Sequence, residues 1–176
     1  MLKKIVIIGP ESTGKSTLSQ QLAEHYQTAW VPEYAREYLL KNGRTYSFEE
    51  LLTIAKGQLA AEDQLTREAK TDLLFIDTNM LVMRVWCEFV FGKCHQWILD
   101  RIVERKYDLY LLCNTDLPWV VDELREYPDL NSRLELYHIY KDTMINQQVP
   151  WRKISGNYAE RLQSAVRAVD DCILLT

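Results

Sequence analysis

The stretch IVIIGPESTGKSTL, residues 5–18, constrains the fold of this chain more than any other part of it. Branched apolar residues lead into a loop that fits the phosphate-binding pattern G-x-x-x-x-G-K-[ST] at Gly9, Gly14, Lys15 and Ser16. The glycines permit a tight turn in which successive backbone N–H groups point at an anion. Because the loop follows a predicted strand and opens a predicted helix, the stretch indicates a P-loop at the start of an α/β fold.

The chemistry of this loop predicts ATP and Mg²⁺ as ligands. Lys15 would place a positive charge near the β- and γ-phosphates, and the Ser16 hydroxyl is an oxygen ligand of the kind Mg²⁺ prefers. The pattern does not distinguish ATP from GTP. We expect the following loop residues to bind the nucleotide: Gly9, Glu11, Ser12, Thr13, Gly14, Lys15, Ser16 and Thr17.

Short apolar runs alternate with helical periods along the rest of the chain, which predicts a three-layer α/β/α P-loop fold with a five-stranded, mostly parallel sheet. The predicted strands are 4–8, 28–31, 73–77, 107–113 and 152–155. The first helix is expected over 14–26. Ser47 and Glu50 form a capping-box pattern that predicts a long helix to about residue 70. Further helices are expected over 78–91, around Leu136, Tyr140 and Met144, and around Leu162, Val166 and Val169.

Length and composition favour one cytoplasmic domain over residues 1–176. The net charge of −4 argues against a general nucleic-acid binder, since such proteins usually carry a basic face. No apolar run reaches the roughly 18 residues that a membrane-spanning helix needs. Residues 114–133 follow a predicted strand, contain two prolines and have weak periodicity. We interpret them as a lid over the site, with an ordinary surface connection as the alternative.

An apolar run that ends in Asp77, within LLFIDTN, predicts the second half of a metal site. The carboxylate would hold Mg²⁺ opposite Ser16, directly or through water. The alternative is a helix cap, because Asp is common where a strand turns into a helix.

Two further segments carry charges that suit phosphoryl transfer. Glu33 and Arg36 lie just beyond the second predicted strand, at the expected mouth of the ligand crevice. Glu33 would bind an acceptor hydroxyl or take its proton, and Arg36 would steady a phosphate or the acceptor. Arg125 and Arg133 are candidates to bring positive charge to the migrating group when the lid closes. For all four the alternative is a solvated surface charge.

Other classes of P-loop protein fit less well. Switch GTPases need an Asp-x-x-Gly after the third strand and an Asn-Lys-x-Asp that reads guanine, whereas this chain has DTNM at 77–80 and CNTD at 113–116. AAA-type motors commonly place a glutamate after the strand-end aspartate, but Thr78 follows Asp77 here. A small-molecule kinase remains.

The chain resembles the ribosylnicotinamide kinase domain of NadR-type proteins of NAD metabolism. The matching segments occur in family order and span nearly the whole chain: GPESTGKSTL at 9–18, EYAREYL at 33–39, IAKGQ at 54–58, FIDTN at 75–79, Trp86, Phe91-Gly92, PWVVDELR at 118–125 and SGNYAERLQSA at 155–165. The resemblance implies transfer of the ATP γ-phosphoryl group to the 5′-hydroxyl of nicotinamide riboside. The alternatives are a kinase for another nucleoside or small alcohol, and a non-catalytic ATP-binding module.

The resemblance also implies roles for particular residues. Lys15, Asp77, Glu33 and Arg125 would be catalytic, with the general base left open between Glu33 and Asp77. Ser16 and Asp77 would hold the metal ion. Adenine would lie at Gly156, Asn157 and Tyr158. The acceptor would contact Glu33, Tyr34, Arg36, Asp77, Asn79 and Trp119. The chain departs from the family pattern at Asn79, where aspartate is usual, and at Glu123, where the lid commonly has glycine.

Overall fold

Five parallel strands form the sheet of this protein, whose computed structural model describes residues 1–121, 124 and 126–174. The strands are β1 (Lys3–Ile8), β2 (Trp30–Val31), β3 (Leu73–Asp77), β4 (Leu109–Cys113) and β5 (Trp151–Ile154). They lie in the order β2-β3-β1-β4-β5, and every pairing is parallel. The predicted three-layer fold with a five-stranded, mostly parallel sheet is confirmed.

Helices cover both faces of the sheet because successive strand residues point to opposite sides. The helices are α1 (Lys15–His25), α2 (Tyr34–Asn42), α3 (Phe48–Glu68), α4 (Met80–Phe91), α5 (Gln96–Glu104), α6 (Leu130–Ile145) and α7 (Tyr158–Val169), followed by a π-helical turn (Asp170–Leu174). In β1, Ile5 and Ile7 pack against α1 and α7, whereas Val6 and Ile8 pack against α4 and α6. A further apolar cluster joins α2, α3, α4 and α5.

The helix boundaries agree with the local signals in the sequence. The predicted capping box is present at α3, where Ser47 Oγ accepts from the Glu50 N–H and the Glu50 carboxylate accepts from the Ser47 N–H. Gly92 ends α4 in the left-handed conformation, with φ of 66°. Among the described residues, no helix combines the length and the apolar character that crossing a bilayer requires.

Two helical predictions need correction. The helix expected from residue 78 begins at Met80, because Asn79 Oδ1 caps it by accepting from the Leu81 N–H at 3.1 Å. Asp77 is therefore not the cap of this helix. No helix was predicted at α2 or α5, each of which is nine residues long. A helix of this length has only about two and a half turns, which is short for recognising an apolar period.

Arg161 on α7 fastens the loops that follow three strands. Its guanidinium donates to the carbonyl oxygens of Gly156 at 2.7 Å, Thr13 at 2.8 Å and Asn114 at 3.0 Å, and it pairs with Asp116. The residue is 2% exposed. A buried guanidinium is tolerated only when its donors are paired, so this clamp sets how the loops after β1, β4 and β5 lie together.

We expect Arg161→Met to lower the free energy of unfolding by about 2–4 kcal/mol, because three carbonyl groups and Asp116 lose a charged donor. Arg167 lies on the same helix but is exposed. Arg167→Met is the matched control and should change stability by no more than about 0.5 kcal/mol. Urea denaturation followed by circular dichroism measures both, and equal effects of the two substitutions would contradict the clamp.

Candidate active site

The P-loop lies where β1 ends, in a conformation that its glycines make possible. Gly9 has φ of 142°, and a Cβ atom there would come within 2.8 Å of the Cys113 carbonyl oxygen. Gly14 has φ of 78°, and a Cβ atom would meet the Leu117 side chain at 3.0 Å. Both positions combine a backbone that L-residues rarely adopt with a close neighbour. The loop can therefore lie close to β4 and to the segment after it.

Lys15 directs its charge back into the loop. Its Nζ donates to the Pro10 carbonyl oxygen at 2.8 Å, and the Thr13 hydroxyl donates to the same oxygen at 2.7 Å. The ammonium group is thus held inside the curve of the backbone. This is where a phosphate that is bound by the loop N–H groups would lie.

Ser16 and Asp77, the two predicted metal ligands, are in direct contact. The Ser16 hydroxyl donates to Asp77 Oδ2 at 2.5 Å. Asp77 is fully buried, and its Oδ1 has no hydrogen-bond partner among the described residues. A buried, unpartnered carboxylate oxygen beside a hydroxyl fits a hard cation such as Mg²⁺. Within the described ranges, no group of three or more His, Cys, Asp or Glu side chains is arranged to hold a metal ion.

Burial and, after it, the nearby Glu33 carboxylate raise the pKa of Asp77 to about 7, although Lys15 and Ser16 act in the opposite direction. Glu33 also contributes, after burial, to raising the pKa of Tyr140. The Glu33 carboxylate thus disfavours the ionised form of Asp77. A cation bound between them would relieve this repulsion.

Thr78, directly after Asp77, has φ of 75°. A β-branched residue in the left-handed region is strained, and such strain is typically stored at functional sites. Asp77 therefore ends β3 at a sharply turned backbone, which starts α4 two residues later.

A cavity of about 390 Å³ joins the P-loop to an apolar and aromatic chamber. Its polar side contains the whole loop from Gly9 to Thr17 together with Glu33 and Arg36. Its apolar and aromatic side is formed mainly by α4, α6 and residues 114–133, the segment whose role as a lid stays a prediction: Val82, Val85, Trp86, Phe89, Pro118, Val120, Leu124, Tyr127, Leu136 and Tyr140. The size and the mixed lining suit a small molecule placed next to a bound phosphate.

The aromatic chamber is tied to the lid by hydrogen bonds. Trp86 Nε1 donates to the Tyr46 hydroxyl at 2.8 Å, and that hydroxyl donates to Glu126 Oε2 at 2.8 Å. Burial raises the pKa of Glu126, and the Glu11 carboxylate adds to this effect. Glu33, Glu126 and Glu11 all line the cavity, so the chamber is both aromatic and acidic.

The side chains of Glu11 and Ser12 bind the lid backbone. Glu11 accepts from the N–H groups of Glu126, at 3.0 Å, and Tyr127, and Ser12 Oγ accepts from the Val120 N–H at 3.0 Å. Nucleotide binding by these two residues stays a prediction, and it would use their backbone N–H groups. Hydrogen bonds thus connect the P-loop directly to the lid segment.

Of the two candidate lid arginines, Arg133 is the one that the structure describes. Arg133, at the start of α6, is 3% exposed and donates to the carbonyl oxygens of Ser12 at 3.2 Å and Leu117 at 3.3 Å. Arg133 thus contacts the P-loop itself. Arg125, the predicted catalytic lid arginine, lies outside the described residues, as does Glu123.

Four residues predicted to contact the acceptor do not line the cavity, and one of them is Asp77, which is buried against Ser16. The Tyr34 ring packs against Gly57 and its N–H group donates to Gln58. Asn79 is buried, caps α4 and donates to the Tyr110 hydroxyl at 3.2 Å. Trp119 is half-buried, and its Nε1 has no hydrogen-bond partner within the described part of the chain. Their contact with an acceptor stays a prediction.

The residues predicted to hold adenine lie beside the P-loop at the start of α7. The Tyr158 ring, 3.5 Å from where a Gly14 Cβ atom would be, lines the cavity and is 47% exposed. Asn157 caps α7 through a capping box with Glu160. Gly156, with φ of 95°, donates its N–H to Asp116 Oδ2 at 2.6 Å. Of the three, only Tyr158 presents its side chain to the cavity.

The sequence alone assigns no functional role to Arg161, Gln58 or Trp86. Their place in the segments that match the NadR-type family is the one feature that could have drawn attention to them. The sequence could not assign their roles, because each acts on backbone or side chains far away along the chain. Gln58, for example, contacts residues that lie 19 to 26 positions away.

Known proteins resemble this chain in sequence and in fold. The Trifunctional NAD biosynthesis/regulator protein NadR of Escherichia coli (strain K12) is 26% identical over 173 residues, which cover 96% of this chain and 42% of that protein. Its counterpart from Salmonella typhimurium is 30% identical over 128 residues, which cover 70% of this chain and 31% of that protein. The chain thus spans less than half the length of these curated relatives. The predicted resemblance to NadR-type proteins is confirmed.

Solved structures confirm the fold. A NadR protein in complex with NR superposes with a TM-score of 0.81 at 20% identity, over 99% of this chain and 50% of that chain. Deoxyadenosine kinase from M. mycoides superposes with a TM-score of 0.63 at 12% identity, over 96% of this chain and 99% of that chain. A family model described as an AAA domain matches residues 4–161. This match covers most of the P-loop fold described above, and the chain belongs to that AAA domain family.

Proposed function

We propose that this protein is an ATP-dependent kinase that phosphorylates the 5′-hydroxyl of nicotinamide riboside. The main support for the proposal is that the P-loop, Glu33 and the aromatic, acidic chamber all line one continuous cavity. Such a cavity can hold a phosphate donor and a small acceptor side by side. The NadR protein that was solved with NR supports this choice of acceptor.

The chamber suits the chemistry of nicotinamide riboside, whose pyridinium ring is a flat aromatic cation. Aromatic side chains attract a cation over their faces, and nearby carboxylates add a favourable charge. Trp86, Phe89 and Tyr127 supply the aromatic lining, and Glu33 and Glu126 supply the carboxylates. A neutral nucleoside would benefit less from this arrangement.

The transfer would form a bond between the acceptor oxygen and the γ-phosphorus and break the bond between that phosphorus and ADP. Lys15 and the loop N–H groups would stabilise the charge on the phosphoryl oxygens. Ser16 and Asp77 would hold Mg²⁺, which when bound neutralises phosphate charge. Because Asp77 is buried against Ser16 and Glu33 lines the cavity, we assign Glu33 the role of orienting the hydroxyl and taking its proton.

A substrate panel tests the proposed function directly. The protein is incubated with ATP, Mg²⁺ and one nucleoside at a time, and ADP release is measured. We expect nicotinamide riboside to accelerate ADP release more than adenosine, deoxyadenosine, cytidine or uridine do, because only its ring is cationic. Strong acceleration by a neutral nucleoside alone would point to a different kinase. ATP binding without acceleration by any acceptor would favour a regulatory ATP-binding module.

Lys15→Ala should lower kcat/KM by about a hundredfold or more, because one contact to the migrating phosphoryl group can contribute roughly 3–4 kcal/mol in the transition state. Lys41→Ala is the matched control, since Lys41 is an exposed lysine in the last turn of α2. The control should retain kcat/KM within about twofold of wild type. Rates for Lys15→Ala within threefold of wild type would remove Lys15 from the mechanism.

Asp77→Asn should abolish most activity and yet stabilise the fold above pH 7. The folded-state pKa of Asp77, about 7, lies above the unfolded value of 3.8. This carboxyl group therefore favours folding below pH 3.8, and the contribution is lost as the pH rises to about 7. We expect the variant to gain on the order of 1–3 kcal/mol over wild type at pH 8, and less at pH 5. Urea denaturation without Mg²⁺ at both pH values measures this. A variant that is less stable at pH 8 would contradict the burial argument.

A further inference from the structure

Gly57 and Gln58, at the end of the IAKGQ segment, contact the turn between β2 and α2. The Gln58 side chain is 1% exposed. Its Oε1 accepts from the Tyr34 N–H at 2.7 Å, and its Nε2 donates to the carbonyl oxygens of Pro32 at 3.2 Å and Asp77 at 3.4 Å. One side-chain amide thus joins α3, the turn and the end of β3.

The residue between the two turn contacts is Glu33. Gln58 holds the carbonyl group before Glu33 and the N–H group after it, so the backbone on both sides of this residue is fixed. The third contact, to Asp77, fixes the same amide relative to the strand end. Gln58 therefore links the backbone around Glu33 to the end of β3, which the pairing with β1 already holds in place.

The sheet itself cannot hold this turn. Strand β2 pairs with β3 through only Trp30 and Val31, opposite Phe75 and Ile76. Pro32 follows directly and has no N–H group to continue the ladder. Beyond Val31 the chain has left the sheet, and the hydrogen bonds from Gln58 take the place of the missing ladder.

Gly57 makes room for the turn to approach α3. A Cβ atom at Gly57 would come within 2.1 Å of the Tyr34 ring, with two further ring atoms at 2.5 Å. A rigid aromatic ring cannot yield as the end of a flexible side chain would. Gly57 lies in the interior of α3, where alanine would be the better helix former. Glycine at this position therefore lowers the helix propensity but allows the Tyr34 ring to pack against the helix.

We propose that Gly57 and Gln58 form a turn seat that positions the Glu33 carboxylate beside Asp77 for phosphoryl transfer. Gln58 is a positioning residue in this scheme, because it touches the backbone of Glu33's neighbours and does not line the cavity. The inference rests on the proposed kinase function. Displacement of a reacting group by about 1 Å can lower the rate about a hundredfold. Loss of the Gly57 or Gln58 contacts with the turn should therefore lower the rate of phosphoryl transfer.

The test compares Gln58→Leu with Gln64→Leu, a glutamine on the same helix that is exposed. Nicotinamide riboside turnover, ATP affinity and amide hydrogen exchange at Tyr34 are measured for both variants and for wild type. We expect Gln58→Leu to lose about tenfold to a hundredfold in kcat/KM for the acceptor, to lose protection at the Tyr34 amide and to keep its ATP affinity within twofold. Gln64→Leu should match wild type in all three measurements.

Gly57→Ala is the second variant and guards against misfolding of Gln58→Leu. Alanine favours the helix but its methyl group meets the Tyr34 ring, so the turn must shift and acceptor turnover should fall. Unchanged ATP affinity then shows that the variant is folded. Acceptor turnover within threefold of wild type in both variants would overturn the proposal. An equal loss of ATP affinity would show a general structural role and would also overturn it.

The experiment separates this inference from the proposed function. If wild-type protein phosphorylates no nucleoside, the kinase proposal fails, and with it the catalytic purpose of the seat. Hydrogen exchange at the Tyr34 amide still decides whether Gln58 holds the turn. If wild type is an active kinase and only the Gln58 and Gly57 effects are missing, the seat alone is wrong.

Discussion

Parallel pairing of β1 with β3 and β4 is the constraint on which the rest of the structure depends. The pairing places Ile7 beside Asp77 and Ile8 beside Leu112, so all three strands end at one edge of the sheet. The P-loop begins at that edge, and the Ser16 hydroxyl meets the Asp77 carboxylate there. The loops are then fastened from outside the sheet, by Arg161 on one side and Gln58 on the other.

The candidate active site contains groups that destabilise the folded protein when no ligand is bound. Asp77 is buried with one unpartnered oxygen, Glu33 stands close enough to raise its pKa, and Thr78 is held in a strained conformation. Each feature costs stability in the protein without ligands. All three features lie near the end of β3, which is typical of a site for phosphate and a metal ion. A bound cation would offset the repulsion between the two carboxylates.

The lid is coupled to the P-loop through side chains that the loop pattern leaves variable. Glu11 and Ser12 occupy unspecified positions of the motif, and both bind lid backbone groups. The lid in turn reaches Tyr46 and Trp86 through Glu126. A ligand that moves the lid would therefore act on the phosphate site and the aromatic chamber together.

Local signals in the sequence determined the P-loop, the apolar run of β1, the capping box at Ser47 and the end of α4 at Gly92, because each depends on neighbours within a few residues. They also indicated Asp77 and Glu33, since strand ends of a parallel sheet share one edge. Tertiary structure alone decided that Arg161 and Gln58 hold the loops and that Tyr34 packs on Gly57. These contacts join residues from separate elements, and no local pattern specifies which buried polar group satisfies which distant backbone group.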